Sequence, residues 1–225
     1  MIGNVTYTEV CLARAPELWG ELERVIESSY AFPNKVVEKA LIRSNSLYQW
    51  FDQNERLGAF FLVNWETVND KPAVYCGLTA AREDLKGSGA SKHCFAYFLR
   101  DVRAWEEAHG ERVLLWAMTA TPSAFNIINS VFANASPNLL GHMDSDLTEL
   151  LEVGKHKWGW NCAVDHPFVV KGLVHASDFS EAERNRIRGL KDKHEFDQFE
   201  RWNLKEEEGD RCILTFRAPR TIPKL

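Results

Sequence analysis

The sequence has no long hydrophobic run and little cysteine. No stretch approaches the ~18 apolar residues of a membrane-spanning helix, and the first 20 residues lack the basic start and apolar block of a secretion signal. The five cysteines are widely spaced and mostly lie among apolar neighbours, a pattern typical of reduced core thiols. These absences argue against a membrane partner and a disulfide framework, and they predict a cytoplasmic protein.

An excess of positive charge is also missing. The 225 residues carry 27 lysines and arginines against 32 aspartates and glutamates, so the formal charge is −5. Such a chain has no general attraction for nucleic acid or anionic lipid. A composition of 45% hydrophobic and 26% charged residues is ordinary for a globular protein, so we expect a small-molecule or protein partner.

Several motifs of known chemistry are absent too. There is no Gly-x-Ser-x-Gly elbow and no P-loop lysine motif. His156, Cys162 and His166 lack the paired spacing of a zinc site, so no metal is expected. His142 and Asp144, two residues apart, form either an acid/base pair or part of an ordinary polar loop.

The strongest positive signal is a strand, a glycine-containing loop and an amphipathic helix in succession. Residues 73–80 have the composition of a strand, the loop reads Lys86, Gly87, Ser88, Gly89, Ala90, Ser91, and residues 92–108 have helical periodicity. Amide hydrogens of such a loop and of the first helical turn converge on one point, which favours a phosphate group. The chain is therefore expected to bind a phosphorylated cofactor.

Further elements surround this unit. Helices are predicted at 16–30, 35–42 and 122–132 and from residue 180 to about 190, and strands at 47–52, 57–65, 112–120 and 212–216. The strand at 112–120 follows a crossover long enough for a parallel pair with residues 73–79. Residues 134–167 carry glycines and prolines and are expected to be rich in loops.

This order of elements resembles the GNAT acyltransferase superfamily over roughly residues 15–132. The resemblance implies an α/β fold with a mixed sheet, in which an antiparallel meander, a splayed parallel pair and flanking helices surround the cofactor. In that family a loop of the form Arg/Gln-x-x-Gly-x-Gly/Ala holds the pyrophosphate of coenzyme A. The loop at residues 86–91 matches it with two departures, Lys86 for the first residue and Ser91 for the last. We expect a single domain over residues 1–225, with 134–225 as a loop-rich extension that completes the sheet.

The resemblance also implies a function. The chain would transfer an acyl group from acetyl-CoA or another acyl-CoA to an amine of a small molecule or peptide. Leu78 and Thr79 would contact the pantetheine arm, with Thr119 and Thr121 as further candidates. Glu66 is the candidate base for the amine and Tyr75 the candidate for orienting the substrate. The alternative for Glu66 is an exposed carboxylate at a strand end, and the alternative for Tyr75 is a core aromatic residue.

One departure from the family leaves other functions open. The family often uses a tyrosine on the helix after the second splayed strand as the proton source for the leaving thiolate, and residues 123–132 contain no tyrosine. The alternatives are an acyl-CoA-binding or interaction protein that has lost turnover, and an acyltransferase that takes its acyl group from a carrier protein. A homodimer also remains open.

Overall fold

A computed structural model describes residues 5–9, 16–174, 179–194 and 198–219. The helices are α1 (Pro16–Ile26), α2 (Pro33–Ile42), α3 (Ala90–His109), α4 (Pro122–Val131), α5 (Ser145–Trp158), α6 (Glu181–His194) and α7 (Gln198–Arg201). The strands are β1 (Val5–Glu9), β2 (Ser46–Phe51), β3 (Leu57–Val68), β4 (Lys71–Ala81), β5 (Leu114–Thr119), β6 (Val169–Val170) and β7 (Arg211–Phe216). No helix in these ranges is long and apolar enough to cross a membrane.

The strands form one seven-stranded sheet in the order β1-β2-β3-β4-β5-β7-β6. Strands β1 to β4 are an antiparallel meander, β4 and β5 are parallel, and β7 pairs antiparallel with both β5 and β6. The crossover between β4 and β5 contains α3, as the spacing predicts. This is the mixed sheet expected from the sequence, so the prediction of fold class is confirmed.

Helix α3 covers one face of the sheet. Its apolar side, which includes Cys94, Phe98 and Val102, packs against alternate residues of the meander and of β5 in one buried cluster. Val74 and Leu115 are fully buried there. Since burying an apolar side chain contributes about 1.5–3 kcal/mol, this cluster fixes α3, and with it the loop that precedes the helix.

Two separate clusters cover the other face. Helices α1 and α2 pack on β2, β3 and the end of β4, while α5 and the chain around β6 and α7 pack on β5 and β7. Between these clusters lie the partly exposed side chains of Asn64, Glu66 and Tyr75. The centre of this face is thus open to solvent although both flanks are closed.

The region 134–167 differs from its prediction, because residues 145–158 form helix α5. Asp144 caps the helix by accepting a hydrogen bond from the Leu147 amide at 2.8 Å, and Gly159 ends it in a left-handed conformation with φ of 68°. Leu147 and Leu150 are fully buried beneath it. The loop expectation was wrong here because the glycines and prolines flank the helix, with Gly154 the exception inside it.

Gly154 has a specific packing role in α5. A Cβ atom at this position would lie 1.9 Å from the ring of Trp160. The glycine therefore lets the indole of Trp160 lie directly against the helix backbone, which a larger residue would prevent.

Candidate functional site

Strands β4 and β5 separate part-way along their length. Their pairing runs from Ala73 with Leu114 to Cys76 with Ala117. Within the described residues the corresponding edge of residues 77–81 has no strand partner, whereas the opposite edge of β5 stays paired with β7 from Leu115 to Thr119. The separation leaves backbone groups of β4 free on one side, as the splayed pair predicted from the sequence requires.

A bulge in β4 lies at the point of separation. Phe61 pairs with Thr79 but Val63 pairs with Cys76, so β4 carries one extra residue between these pairs. A Cβ atom on Gly77 would lie 3.0 Å from the carbonyl oxygen of Leu62, tighter than nine in ten real Cβ contacts. Glycine thus allows the bulge, which turns the strand away from β5.

The glycine loop (residues 86–91) joins the end of β4 to α3. Gly87 and Gly89 have φ of 81° and 91°, and Gly89 is the N-cap of the helix, without a side-chain cap. Among the described residues, the amides of Gly87 and Gly89 have no hydrogen-bond acceptor, and a Cβ atom on Gly87 would meet nothing within 4 Å. Free amides at a helix N-terminus facing open space are suited to an anion.

Other members of the loop stabilise its shape. The amide of Ser88 donates to the carbonyl of Leu85 at 3.0 Å, and its hydroxyl donates to the same carbonyl at 2.7 Å. The amide of Ala90 donates to the Ser88 hydroxyl at 3.3 Å. Ala90 is buried, and Ser91 stands partly exposed on the first turn.

The cation of the loop is already engaged. The ammonium group of Lys86 forms ion pairs with Glu83 and, at 3.2 Å, with Glu183. Glu183 is buried and also pairs with Arg186. Burial is the largest single influence on Glu183 and opposes its ionisation, but the hydrogen bonds and charges of Arg186 and Lys86 together outweigh it and lower the pKa. A phosphate group would therefore compete with two carboxylates for Lys86.

Helix α6 brings Glu183 to the loop. Just before the helix, Ser180 is anchored at the end of α1, its amide donating to Ser29 at 2.9 Å and its hydroxyl to Ser28 at 2.7 Å. Further along, Arg184 and Arg188 border a cavity of about 370 Å³ that Ala120 and Pro122 also line. The helix thus extends from the glycine loop to the start of α4, beside the open ends of β4 and β5.

Glu66 lies in the open centre of the second face. One carboxylate oxygen accepts a hydrogen bond from the indole of Trp116 at 2.7 Å, and the other accepts one from the amide of Asn64 at 3.1 Å. Burial raises the pKa of Glu66, and these two hydrogen bonds oppose the rise only in part. A carboxylate with a raised pKa is a stronger base than one in water.

The structure brings Tyr75 close to Glu66 through a shared neighbour. The ring of Tyr75 lies 4.5 Å from that of Trp116, the residue that donates to Glu66. Burial raises the pKa of Tyr75 to about 12, so its hydroxyl keeps its proton at neutral pH. Glu66 and Tyr75, both predicted from the sequence, therefore both contact Trp116. Tyr75 lies two positions along β4 from the bulge at Gly77.

The remaining candidates lie elsewhere or have structural partners. Leu78 packs on the α1–α2 cluster, and the hydroxyl of Thr79 donates to the carbonyl of Phe60 at 3.3 Å. Thr121 caps α4. The groups His142/Asp144 and His156/Cys162/His166 lie outside the open centre, Asp144 acting as the α5 cap. The described part of the chain contains no group of three or more side chains that could hold a metal ion.

Sequence reasoning missed two important neighbours of the site. Trp116 is the one aromatic residue of an apolar strand, and only the pairing of that strand beside Tyr75 brings its indole to Glu66. Glu183 is 97 positions from Lys86 in the sequence, so no local pattern connects them.

No protein-family model matches the sequence, and no curated protein matches it. Among solved structures, the chain is 13% identical to the ribosomal-protein-S18-alanine N-acetyltransferase of Escherichia coli, over 99% of each chain, with a TM-score of 0.46. It is 11% identical to a GNAT-family N-acetyltransferase of Escherichia coli in complex with CoA, over 56% of this chain and 66% of that chain, with a TM-score of 0.42.

A third structure, the ribosomal-protein-alanine N-acetyltransferase of Brucella melitensis, is 16% identical over 57% of this chain and 89% of that chain, with a TM-score of 0.39. The order of elements and the splayed pair in this chain are those of the GNAT-like fold expected from the sequence.

Proposed function

We propose that the protein is an acyl-CoA-dependent N-acyltransferase that transfers an acyl group, with acetyl-CoA as the donor, to an amine. The observation that carries the proposal is the gap between β4 and β5, which leads to a glycine loop with unbonded amides at Gly87 and Gly89. A long donor with an anionic end and a hydrogen-bonding arm fits such a gap and loop.

In this proposal the loop holds the pyrophosphate of the donor. The amides of Gly87 and Gly89 donate to phosphate oxygens, and Lys86 leaves Glu183 to add its charge. Ser88, Ala90 and Ser91 shape the loop and the first helical turn. The pantetheine arm lies along the free edge of β4 at Leu78 and Thr79, with the thioester near the bulge.

The reaction then proceeds at the open centre of the second face. Glu66 accepts a proton from the incoming ammonium group, either directly or through water. The neutral nitrogen attacks the thioester carbonyl and a C–N bond forms. The C–S bond then breaks as the nitrogen gives its second proton to water, which leaves the amide and the thiolate. Tyr75, which keeps its proton, orients the substrate. Because the sequence of α4 contains no tyrosine, the leaving thiolate takes its proton from solvent in this scheme.

The glycine loop provides the test of donor binding. Gly89→Glu places bulk and negative charge against the phosphate, so it should abolish the rise in melting temperature that coenzyme A causes in the parent protein. Gly110→Glu is the matched control, since Gly110 also has a positive φ and open space but ends α3. Mass spectrometry of the natively purified protein would detect retained coenzyme A. Equal binding by folded Gly89→Glu and by the parent would refute the assignment.

A second candidate is an acyl-CoA-binding protein without turnover. The lack of a tyrosine on α4 favours it. Release of free thiol with a panel of amines separates the two functions, because only the enzyme releases it. A donor attached to a carrier protein is a further alternative, and it predicts turnover without binding of free coenzyme A.

A further inference from the structure

An aromatic cluster adjoins the carboxylate of Glu66 through Trp116, whose indole donates a hydrogen bond to it. The rings of Trp116 and Trp158 are nearly parallel, with centroids 5.6 Å apart and an angle of 15° between their planes. Trp160 lies 5.8 Å from Trp116 and 5.0 Å from Trp158. The ring of Tyr75 lies 4.5 Å from that of Trp116. The four aromatic rings thus form one continuous group, which we call the aromatic cluster.

The outer ring of this cluster faces solvent. Trp158 is 42% exposed, whereas Trp116 and Trp160 are 5% and 8% exposed. Helix α5 ends at Trp158 with a left-handed Gly159, and Gly154 allows Trp160 to pack behind it. The exposed indole therefore stands on a rigid base and is not a loose surface residue.

The charge of Glu66 has no partner of opposite sign. Both carboxylate oxygens accept hydrogen bonds from neutral groups, those of Trp116 and Asn64. In the described ranges, no lysine, arginine or histidine lies within ion-pair distance of Glu66. A partly buried carboxylate without a cation is unfavourable, and its free energy improves when a cation binds beside it.

Aromatic faces and an unpaired carboxylate prefer the same kind of ligand. The face of an indole attracts a cation within about 6 Å of the ring centroid, and a carboxylate adds charge attraction. We propose that the aromatic cluster and Glu66 bind a small alkylammonium head group. This inference rests on the proposed function, because that head group is then the protonated acceptor amine before transfer.

The proposal restricts the class of acceptor. An alkylamine or aralkylamine presents only positive charge and carbon to this surface. An amine with a carboxylate on the neighbouring carbon, as in a free amino acid, brings negative charge close to Glu66. We therefore expect amines without an adjacent carboxylate to be the preferred acceptors.

Calorimetric titration with choline tests the proposal without any donor. Its quaternary nitrogen has no proton to transfer, so its binding does not depend on turnover. The neutral isostere 3,3-dimethylbutan-1-ol has the same shape, and it should bind roughly tenfold more weakly or worse. Glu66→Gln and Trp158→Leu should each weaken choline binding by a similar factor.

Trp105→Phe is the matched control, since Trp105 packs on the α3 face of the sheet, away from the aromatic cluster. It should leave choline binding unchanged. Equal affinity for choline and the isostere, or full affinity in either site variant, would overturn the proposal, as would no binding at tens of millimolar. If choline binds but no amine releases thiol from acyl-CoA, the ammonium site stands and the proposed reaction fails.

Discussion

At the scale of single residues, the carboxylates of Glu66 and Glu183 matter most for the proposed function. Their surroundings shift the two pKa values in opposite directions. Glu66 is partly buried among neutral donors, so its pKa rises. Glu183 is buried against Arg186 and Lys86, so its pKa falls. The first is therefore disposed to take up a proton, whereas the second keeps a lasting negative charge beside the glycine loop.

Replacing Glu66 by Gln should slow transfer at neutral pH more than it weakens donor binding. In the parent the rate should rise with pH through the raised pKa of Glu66, and the variant should lose this rise. Transfer rates of the parent and the variant, measured with several amines across pH 4–9, test this expected pH dependence. Unchanged turnover would return Glu66 to the role of an exposed strand-end carboxylate.

Replacing Glu66 by Gln should also change the stability of the folded protein, because the pKa of Glu66 is raised by folding. A carboxyl whose pKa is higher in the folded state lowers stability above that pKa, and it costs nothing below its unfolded value of about 4.3. Glu66→Gln should therefore raise the melting temperature at pH 7, and the gain should disappear as the pH falls to about 4. The control Glu149→Gln should show the opposite sign at pH 7, because Lys71 lowers the pKa of Glu149.

Glu183→Gln should produce two opposite changes. The folded protein loses an ion pair with Lys86 and Arg186, so its melting temperature should fall. The loop loses a competing negative charge, so its affinity for coenzyme A should increase several-fold. Glu181→Gln, an exposed position on the same helix, should change neither quantity. Weaker coenzyme A binding by folded Glu183→Gln would show that the carboxylate supports the donor site.

At the scale of elements, α5 and α6 determine what the centre of the second face can reach. Helix α5 ends at the exposed Trp158, and α6 connects the glycine loop to the start of α4. Both lie after residues 15–132, over which the sequence resembles the GNAT superfamily. The later part of the chain thus borders both halves of the proposed site.

Two helical glycines provide a matched test of the packing in α5. Gly154→Ala places a methyl group inside the ring of Trp160, and such overpacking costs about 1–3 kcal/mol. Gly189→Ala in α6 meets nothing within 4 Å and should gain about 0.5–1 kcal/mol. Denaturant titration of both variants measures the difference. A Gly154→Ala protein as stable as the parent would mean that Trp160 is loosely held.

At the scale of the whole molecule, the sequence predicted the sheet better than the site. Local periodicity and turn residues are enough to recognise β2 to β5 and α3, because each buries one regular face. The glycine loop was recognisable because its two glycines lie between a strand pattern and a helix pattern. The ion pair of Lys86 with Glu183 and the contact of Glu66 with Trp116 depend on the packing of distant segments, which no local spacing reports.

The extent of the domain is a further prediction at this scale. Deleting the residues after Pro167 removes β7, in which Ile213 and Leu214 are fully buried. We expect an insoluble or unfolded product, because β5 loses one of its two strand partners and part of its covering layer. Ile213→Ala should cost about 2–5 kcal/mol in the complete chain. A soluble fragment ending near Asp165 that still binds coenzyme A would defeat the single-domain prediction.

The position of β7 between β5 and β6 also affects how the chain emerges from the ribosome. Strand β5 is complete at Thr119, but its neighbour begins only at Arg211. At ~5–20 residues per second, synthesis leaves the apolar edge of β5 without its partner for roughly five to twenty seconds. Such an edge can pair with another nascent chain. Chaperone binding to ribosome-attached chains should therefore be strongest after β5 has emerged and end once β7 has left the exit tunnel.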